Sequence, residues 1–378
     1  MEEIETQQDE PVQASEPIRP VLFAGQFGLA QSRYTIRRLL SGLVGSAHGA
    51  ALVSSGQADF ADVLAPTVEF VEYPMLKLPL FRVQNRRILL DRLSRFKPTV
   101  LHGFWPDNPE LVSWVSRKLG VPYVLSFYQR VSKISRLYLD ARHASALVAP
   151  FQYIADDLAH QWPYLKDRVR LIEPGCYVED QCACFDREDQ NASLILIQPL
   201  ERLTPLEPLL QAVRHLALDG FEFALGIIGT GPAEMAVRRR IRALGLMPVV
   251  TLVPELKPMR SLLEGCDIFI HLENSAACNM AMLEAMSLGV AVAGTSDPGQ
   301  ELLKDQQTAA VFETDDEIQI YGTLKKLLTQ REWTRQLALE GQVLLRKNHR
   351  VSQMLESLTQ LYRGVQENHQ PDHQPQPA

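Results

Sequence analysis

Residues 264–305, EGCDIFIHLENSAACNMAMLEAMSLGVAVAGTSDPGQELLKD, restrict the fold more than any other part of the chain. The apolar run at 268–272 reads as a strand, a polar loop follows, and 279–288 has the composition of a short helix. Gly289 is a helix stop, and the β-branched residues beyond it restart a buried strand at 290–293. Strand, loop, helix and strand make a βαβ unit. A loop that enters a helix N-terminus leaves backbone N–H groups pointing outward, an arrangement that suits a phosphate. Asn279, Met280 and Ala281 stand at that N-terminus, and Glu284 falls in the second turn, within reach of hydroxyls on whatever carries the phosphates. An ordinary βαβ unit with a solvated glutamate fits the same residues.

The alternation extends through the chain. In the first half, apolar strand patterns fall at 21–24, 50–54, 68–73, 99–102, 123–127, 146–149 and 169–172. Helical patterns fall at 32–43 and 109–119, the second stopped by Gly120. After a polar stretch at 177–191, strands at 194–199, 224–228 and 249–253 alternate with helices at 206–218, 232–244 and 259–264. Helices at about 317–328, 332–346 and 352–363 close the series. Such alternation specifies α/β architecture with parallel sheets. The expected organisation is two Rossmann-like doubly wound domains in tandem, over 20–180 and 190–345, with a last helical segment at 346–365. Ligands of such folds sit at the carboxyl ends of the strands, here in the crevice between the domains.

The flanks differ from this body. Residues 1–19 hold six acids and one base and read as a disordered acidic tail, and 366–378 reads as a second tail. With a net charge of −7 overall, the first tail accounts for −5, so the remainder is nearly neutral and offers no bulk charge for nucleic acid. No apolar run is long enough to span a bilayer, and the first residues lack the apolar core of a signal peptide. Five cysteines without zinc-finger spacing point to a reduced, cytoplasmic setting; Cys182 and Cys184 form a C-x-C with no second pair nearby, so no metal site is assigned.

One surface feature is open to two uses. Residues 81–97, FRVQNRRILLDRLSRFK, carry six bases and one acid on a helical pattern with Leu89, Leu90, Leu93 and Phe96 on its apolar side. Together with Arg33, Arg37 and Arg38 it could dock on an anionic membrane, peripheral to its inner face, or on a lipid-linked acceptor. A basic helix with its apolar side in the core explains it equally.

Several segments, in order, resemble the retaining GT-B glycosyltransferases of family 4 (group 1). IEPG at 172–175 is similar to that family's PNG turn, and LGIIGTGP at 225–232 to its strand and G-x-G-P turn. LLEGCD at 262–267, LEAMSLGVAVAGT at 283–295 and GQELLKDQQTAAVF at 299–312 resemble its later motifs, and 352–362 its closing helix, whose tyrosine-bearing end crosses back onto the first domain. The resemblance implies transfer of a sugar from a nucleotide-diphosphate donor to an acceptor hydroxyl, on a glycan or lipid-linked acceptor, with no cofactor beyond the donor. It implies cationic side chains and helix N-termini, with no metal, against the charge of the departing diphosphate.

By the same resemblance Arg202 meets the diphosphate, Glu284 the ribose, and Gly229 and Gly231 line the nucleotide side, although two glycines also suit a tight turn that touches no ligand. Gly25 and Gly28 form the loop after the first strand, and His102 faces the cleft. Departures accompany these matches. The expected lysine five residues after Arg202 is Glu207, the earlier of two glutamates eight positions apart is Ala276, and Phe104 and Tyr128 stand where histidines are expected. Asn279 replaces a glycine, and Glu273 and Asn274 lie just upstream of Ala276. Two functions therefore follow: a sugar transferase in glycan or glycoconjugate assembly, or a GT-B module without turnover that serves as the partner of an active transferase.

Overall fold

The computed structural model describes residues 17–46, 48–55, 68–74, 79–104, 109–131, 139, 143–187, 190–254, 259–272, 279–295 and 302–369. The first lobe is built on β1 (Pro20–Ala24), β2 (Ala50–Ser54), β3 (Val68–Glu72), β4 (Val100–Phe104), β5 (Tyr123–Ser126), β6 (Ala144–Ala149) and β7 (Val169–Leu171). These pair in the order β3-β2-β1-β4-β5-β6-β7, every pairing parallel. Strands β1, β2, β4 and β5 are buried along their whole length, as a sheet covered on both faces requires. Its helices are α1 (Gln26–Gly45), α2 (Arg82–Phe96), α3 (Pro109–Leu119) and α4 (Gln152–Gln161).

The second lobe repeats the plan. Strands β8 (Ala192–Ile197), β9 (Phe223–Ile228), β10 (Val250–Val253), β11 (Ile268–His271), β12 (Ala291–Gly294) and β13 (Ala310–Val311) pair in parallel in the order β10-β9-β8-β11-β12-β13. The remaining helices among the described residues are α5 (Glu207–Leu218), α6 (Glu234–Ala243), α7 (Met259–Leu263), α8 (Met280–Ser287), α9 (Glu317–Thr329), α10 (Arg331–Asn348) and α11 (Val351–Glu367). Two doubly wound parallel sheets in tandem are what the alternating pattern specifies.

Helix α8 is buried at every one of its residues, as a helix apolar on nearly all sides must be. It belongs to the hydrophobic cluster that also fills the first lobe, so one continuous core crosses between the lobes. A separate cluster, with α5, α6 and α9, covers the opposite face of the second sheet.

The lobes are joined twice. Residues 172–186 cross outward, and the chain returns between α10 and α11. The crossings are tied: Cys176 N donates to His349 O at 2.8 Å, and His349 Nδ1 donates to Pro174 O at 3.1 Å. Gly175 lies where an added Cβ would come within 2.6 Å of Val351 Cα, so only glycine lets the strands of the hinge touch. Helix α11 then lies on α1 and β4 of the first lobe, and its Tyr362 is completely buried there.

Local departures from the sequence pattern have physical causes. Helix α1 starts at Gln26 rather than 32, because Gly25 takes the extended N-cap position and Gly28 is absorbed into the first turn. In α2, Asn85, Leu89, Leu93 and Phe96 are buried in the core, so the apolar side is not available to a membrane. Its outer face keeps Arg82, Arg87, Arg92 and Arg95, with Leu80 and Val83 at 89% and 82% exposure beside its start. Among the described residues no helix is long and apolar enough to cross a membrane.

Candidate functional site

Strand order reverses between β1 and β4 in the first sheet and between β8 and β11 in the second. In doubly wound sheets these reversals open the crevice that takes the ligand. Here they are brought together, because α1, entered from β1, packs on α8, entered from the loop after β11.

Glu284 sits at that junction and is 1% exposed. Its Oε1 accepts from Arg38 Nη2 on α1 of the opposite lobe, and its Oε2 accepts from Arg260 Nη1 on α7 at 3.1 Å. Arg38 also donates to Gly175 O at 2.6 Å in the hinge, and its guanidinium lies 5.8 Å from the rings of both Tyr34 and Tyr177. Burial pulls the Arg38 pKa down to about 10, with Arg260 adding to the effect, so the side chain remains charged at neutral pH. Arg260 reaches onward to Glu179 in the hinge and to Glu264 at 3.6 Å. The carboxylate read as facing ligand hydroxyls or solvent is enclosed between two guanidiniums. Arg38, grouped by sequence with a basic surface, belongs to the interior and not to that surface.

At the start of α8, Asn279 is the N-cap, and its Oδ1 accepts from Met282 N at 3.1 Å. With Oδ1 committed, Nδ2 faces His271 Nδ1 at 3.4 Å, which leaves the ring hydrogen on Nε2. Met280 and Ala281 are buried at 5% and 8% exposure. Asparagine at 279 therefore supplies a side-chain cap that a glycine would lack.

The carboxyl edge of the second sheet carries unsatisfied groups. Gln198 Oε1, His271 Nε2 and Thr295 Oγ1, at the ends of β8, β11 and β12, are enclosed without a hydrogen-bond partner among the described residues. Each such group costs about 1–3 kcal/mol, and three on neighbouring strand ends mark the edge where a polar ligand would satisfy them.

The remaining residues singled out from the sequence are distributed as follows. Arg202 is exposed in the turn after β8. Glu207, at the position expected to be lysine, is paired with Arg240 on α6, so its charge is already balanced within the second lobe. Gly229 and Gly231 allow the turn after β9 to close on the backbone at Gln198 and Leu200, where Leu200 N donates to Thr230 O at 3.0 Å and Ala233 N to Leu200 O at 2.9 Å. That close approach by itself accounts for both glycines. Gly25 caps α1, and Gly28 lies inside it.

His102 is enclosed at 1% exposure. Its Nδ1 meets Tyr362 Oη at 2.6 Å and its Nε2 meets Ser126 Oγ at 2.7 Å, so neither nitrogen is left for a substrate in this arrangement. Phe104 stacks on its ring at 4.6 Å and Tyr128 on Phe104 at 6.4 Å. The aromatic residues that stand in place of histidines build a packed column against α11. Glu273, Asn274 and Ala276 lie outside the described residues.

Arg38, Arg260 and His271 were not legible as site residues. The signal for Arg38 was its position beside Thr35, Ile36, Leu39 and Leu40, where a cation within a buried stripe demands a counter-charge.

In sequence, residues 197–330 match the family described as "Glycosyl transferases group 1", and residues 33–180 match "Glycosyltransferase Family 4". No curated protein matches the chain. Solved structures with the same fold include a glycosyltransferase from Rickettsia africae, at 15% identity and TM-score 0.71, covering 93% of this chain and 100% of that one. Anabaena Alr3699/HepE in complex with UDP-glucose is similar at 13% identity and TM-score 0.73, over 92% of this chain and 100% of its own. Sucrose-phosphate synthase from Thermosynechococcus elongatus aligns at 13% identity and TM-score 0.69, over 92% of this chain and 99% of its own.

Burial holds two histidines neutral well into acid: His102 is pushed down to about 3 and His271 to about 4, from 6.5. Once unfolded, both rings take up protons near pH 6.5, whereas the folded protein refuses them until about pH 3–4. Stability is thus full above pH 6.5 and declines as pH falls toward those values. Urea midpoints at pH 7 and pH 4.5 measure this, and His102→Gln should remove about 2 kcal/mol of the difference. An unchanged difference in that variant would show that His102 is not held neutral.

Proposed function

The chain is a GT-B protein of the group 1 and family 4 glycosyltransferase type, and from that premise we propose that it moves a sugar from a uridine diphosphate donor to an acceptor hydroxyl with retention at the anomeric carbon. The observation that carries this reading is the meeting of two strand-order reversals at α1 and α8, beside a sheet edge with three unsatisfied polar groups. The UDP and UDP-glucose held by the structurally similar HepE support the donor class.

In this reading the diphosphate lies near the start of α8 and Arg202, the ribose hydroxyls reach Glu284, and Gly25 borders the reacting centre from the first lobe. The bond from the anomeric carbon to the phosphate oxygen breaks, and its electron pair goes to the diphosphate. The acceptor oxygen forms the new bond to the anomeric carbon as its proton passes to the departing diphosphate oxygen. Arg202 and backbone amides stabilise the developing negative charge, without a metal in this scheme. His102 contributes from behind, by fixing β4 to α11.

We assign the acceptor to a glycan or lipid-linked glycan, handled in the cytoplasm at an anionic membrane face. The outer side of α2 supports the membrane contact: four exposed arginines flank the exposed Leu80 and Val83. Vesicles rich in phosphatidylserine should retain the protein at low salt and release it at high salt, whereas Arg87→Glu/Arg95→Glu should not bind. Equal binding by that variant would remove α2 as the contact.

A second reading, a module without turnover that serves an active transferase, is favoured by particular residues. Phe104 and Tyr128 fill the place of histidines, Glu207 is tied to Arg240, and Glu284 is already saturated. Isothermal titration should detect UDP at millimolar affinity or better, and Glu284→Ala should weaken it about tenfold, the loss of one charged hydrogen bond. Unchanged affinity would withdraw the ribose assignment. Turnover of any nucleotide sugar in a panel would end the second reading, and binding without turnover would favour it.

A further inference from the structure

Glu284 is occupied on both oxygens, by two cations of different origin. Arg260 belongs to the same lobe, remains about one-third exposed and is shared with Glu179 and Glu264. Arg38 comes from the opposite lobe, is enclosed and also donates to the Gly175 carbonyl of the hinge. A carboxylate oxygen can accept a second hydrogen bond, but this one is covered: at 1% exposure, no hydroxyl reaches it while Arg38 is in place.

We propose that Arg38 sets nucleotide affinity by competing with the ribose hydroxyls for Glu284, so that a nucleotide binds only when the Arg38–Glu284 bridge opens. The inference rests on the ribose assignment above and adds the residue that governs it. The geometry has three consequences. Arg260 stays with Glu284 when the bridge parts, so the carboxylate keeps a counter-charge. Arg38 is anchored to α1, whose first residue follows Gly25, so release of the bridge shifts the helix that borders the crevice. Its bond to Gly175 couples the same event to the hinge, where Cys176 and His349 hold the two crossings together.

The bridge therefore acts on binding with a sign opposite to that of a supporting residue. Only the fraction of molecules with the bridge open is competent, and the apparent affinity is reduced by that fraction. Removing the guanidinium while keeping the side-chain length removes the competitor.

The test compares the full chain with Arg38→Met and Arg38→Lys by UDP titration and by hydrogen exchange without nucleotide. Arg38→Met should bind UDP about tenfold more tightly, as expected for an open fraction near one-tenth. Its residues 173–179 and 280–287 should exchange faster, while β8 and β9 do not change. Arg38→Lys, which restores the charge, should bring the affinity back toward that of the native chain. Unchanged or weaker UDP binding by a folded Arg38→Met protein would overturn the proposal and leave Arg38 a structural residue. If Arg38→Met does not fold, Arg38→Lys carries the test: its shorter reach should still give tighter binding than the native chain, and weaker binding overturns the proposal. If no protein binds UDP, the nucleotide reading itself fails; exchange then decides whether the bridge opens at all, and equal rates exclude it.

Discussion

The burial of one carboxylate between guanidiniums from two lobes organises this protein. Taking Glu284 and Arg38 out of water is unfavourable by several kcal/mol for each ion, and mutual attraction offsets this only with good geometry and further hydrogen bonds. Both conditions are met. Arg260 takes the second carboxylate oxygen, and the Gly175 carbonyl takes another guanidinium N–H. Removing one member of such a pair typically costs about 3–5 kcal/mol, because the other charge is left buried. The arrangement is thus stable when closed and sensitive to any group that can take Arg38's place.

The hinge and the last helix extend the same logic. Arg346 Nη2 donates to Glu179 O at 2.5 Å, and Gln342 Nε2 donates to Glu179 O and Gln181 O, so α10 holds the outward crossing along its length. Tyr362 on α11 is fixed by His102, which is itself held by Ser126 and stacked on Phe104. The last helix among the described residues therefore belongs structurally to the first lobe. Motion between the lobes has to pass through residues 172–186 and 349–350, and the Arg38 contact to Gly175 stands at that point.

Most of the fold was legible because local patterns and global packing agree. Short apolar runs became strands covered on both faces, and Gly120 and Gly289, with φ of +65° and +72°, ended helices where expected. The start of α1 was misread because two glycines in four residues resemble a loop, and the two-residue β13 is too brief to leave a periodic trace. The site was legible only in part. The helix positions of Glu284 and Asn279 could be read, since both depend on one βαβ unit. The partner of Glu284 lies 246 residues away, and a single arginine among Arg33, Arg37 and Arg38 carries no mark of its destination. The apolar side of α2 was ambiguous for a related reason: the same stripe fits a core or a membrane, and only the tertiary packing chose the core.

The departures at Glu207, Phe104 and Tyr128 also have a common form. Each is satisfied by a neighbour in the chain: Arg240 for the first, and the aromatic column on His102 for the others. They stabilise the lobes without a ligand. The most direct measurement is a crystal structure of the chain soaked with UDP. Density beside the start of α8 and Arg202, with the ribose on Glu284 and Arg38 withdrawn from it, is the result expected. UDP bound elsewhere, or bound with the Arg38–Glu284 bridge intact, would contradict it.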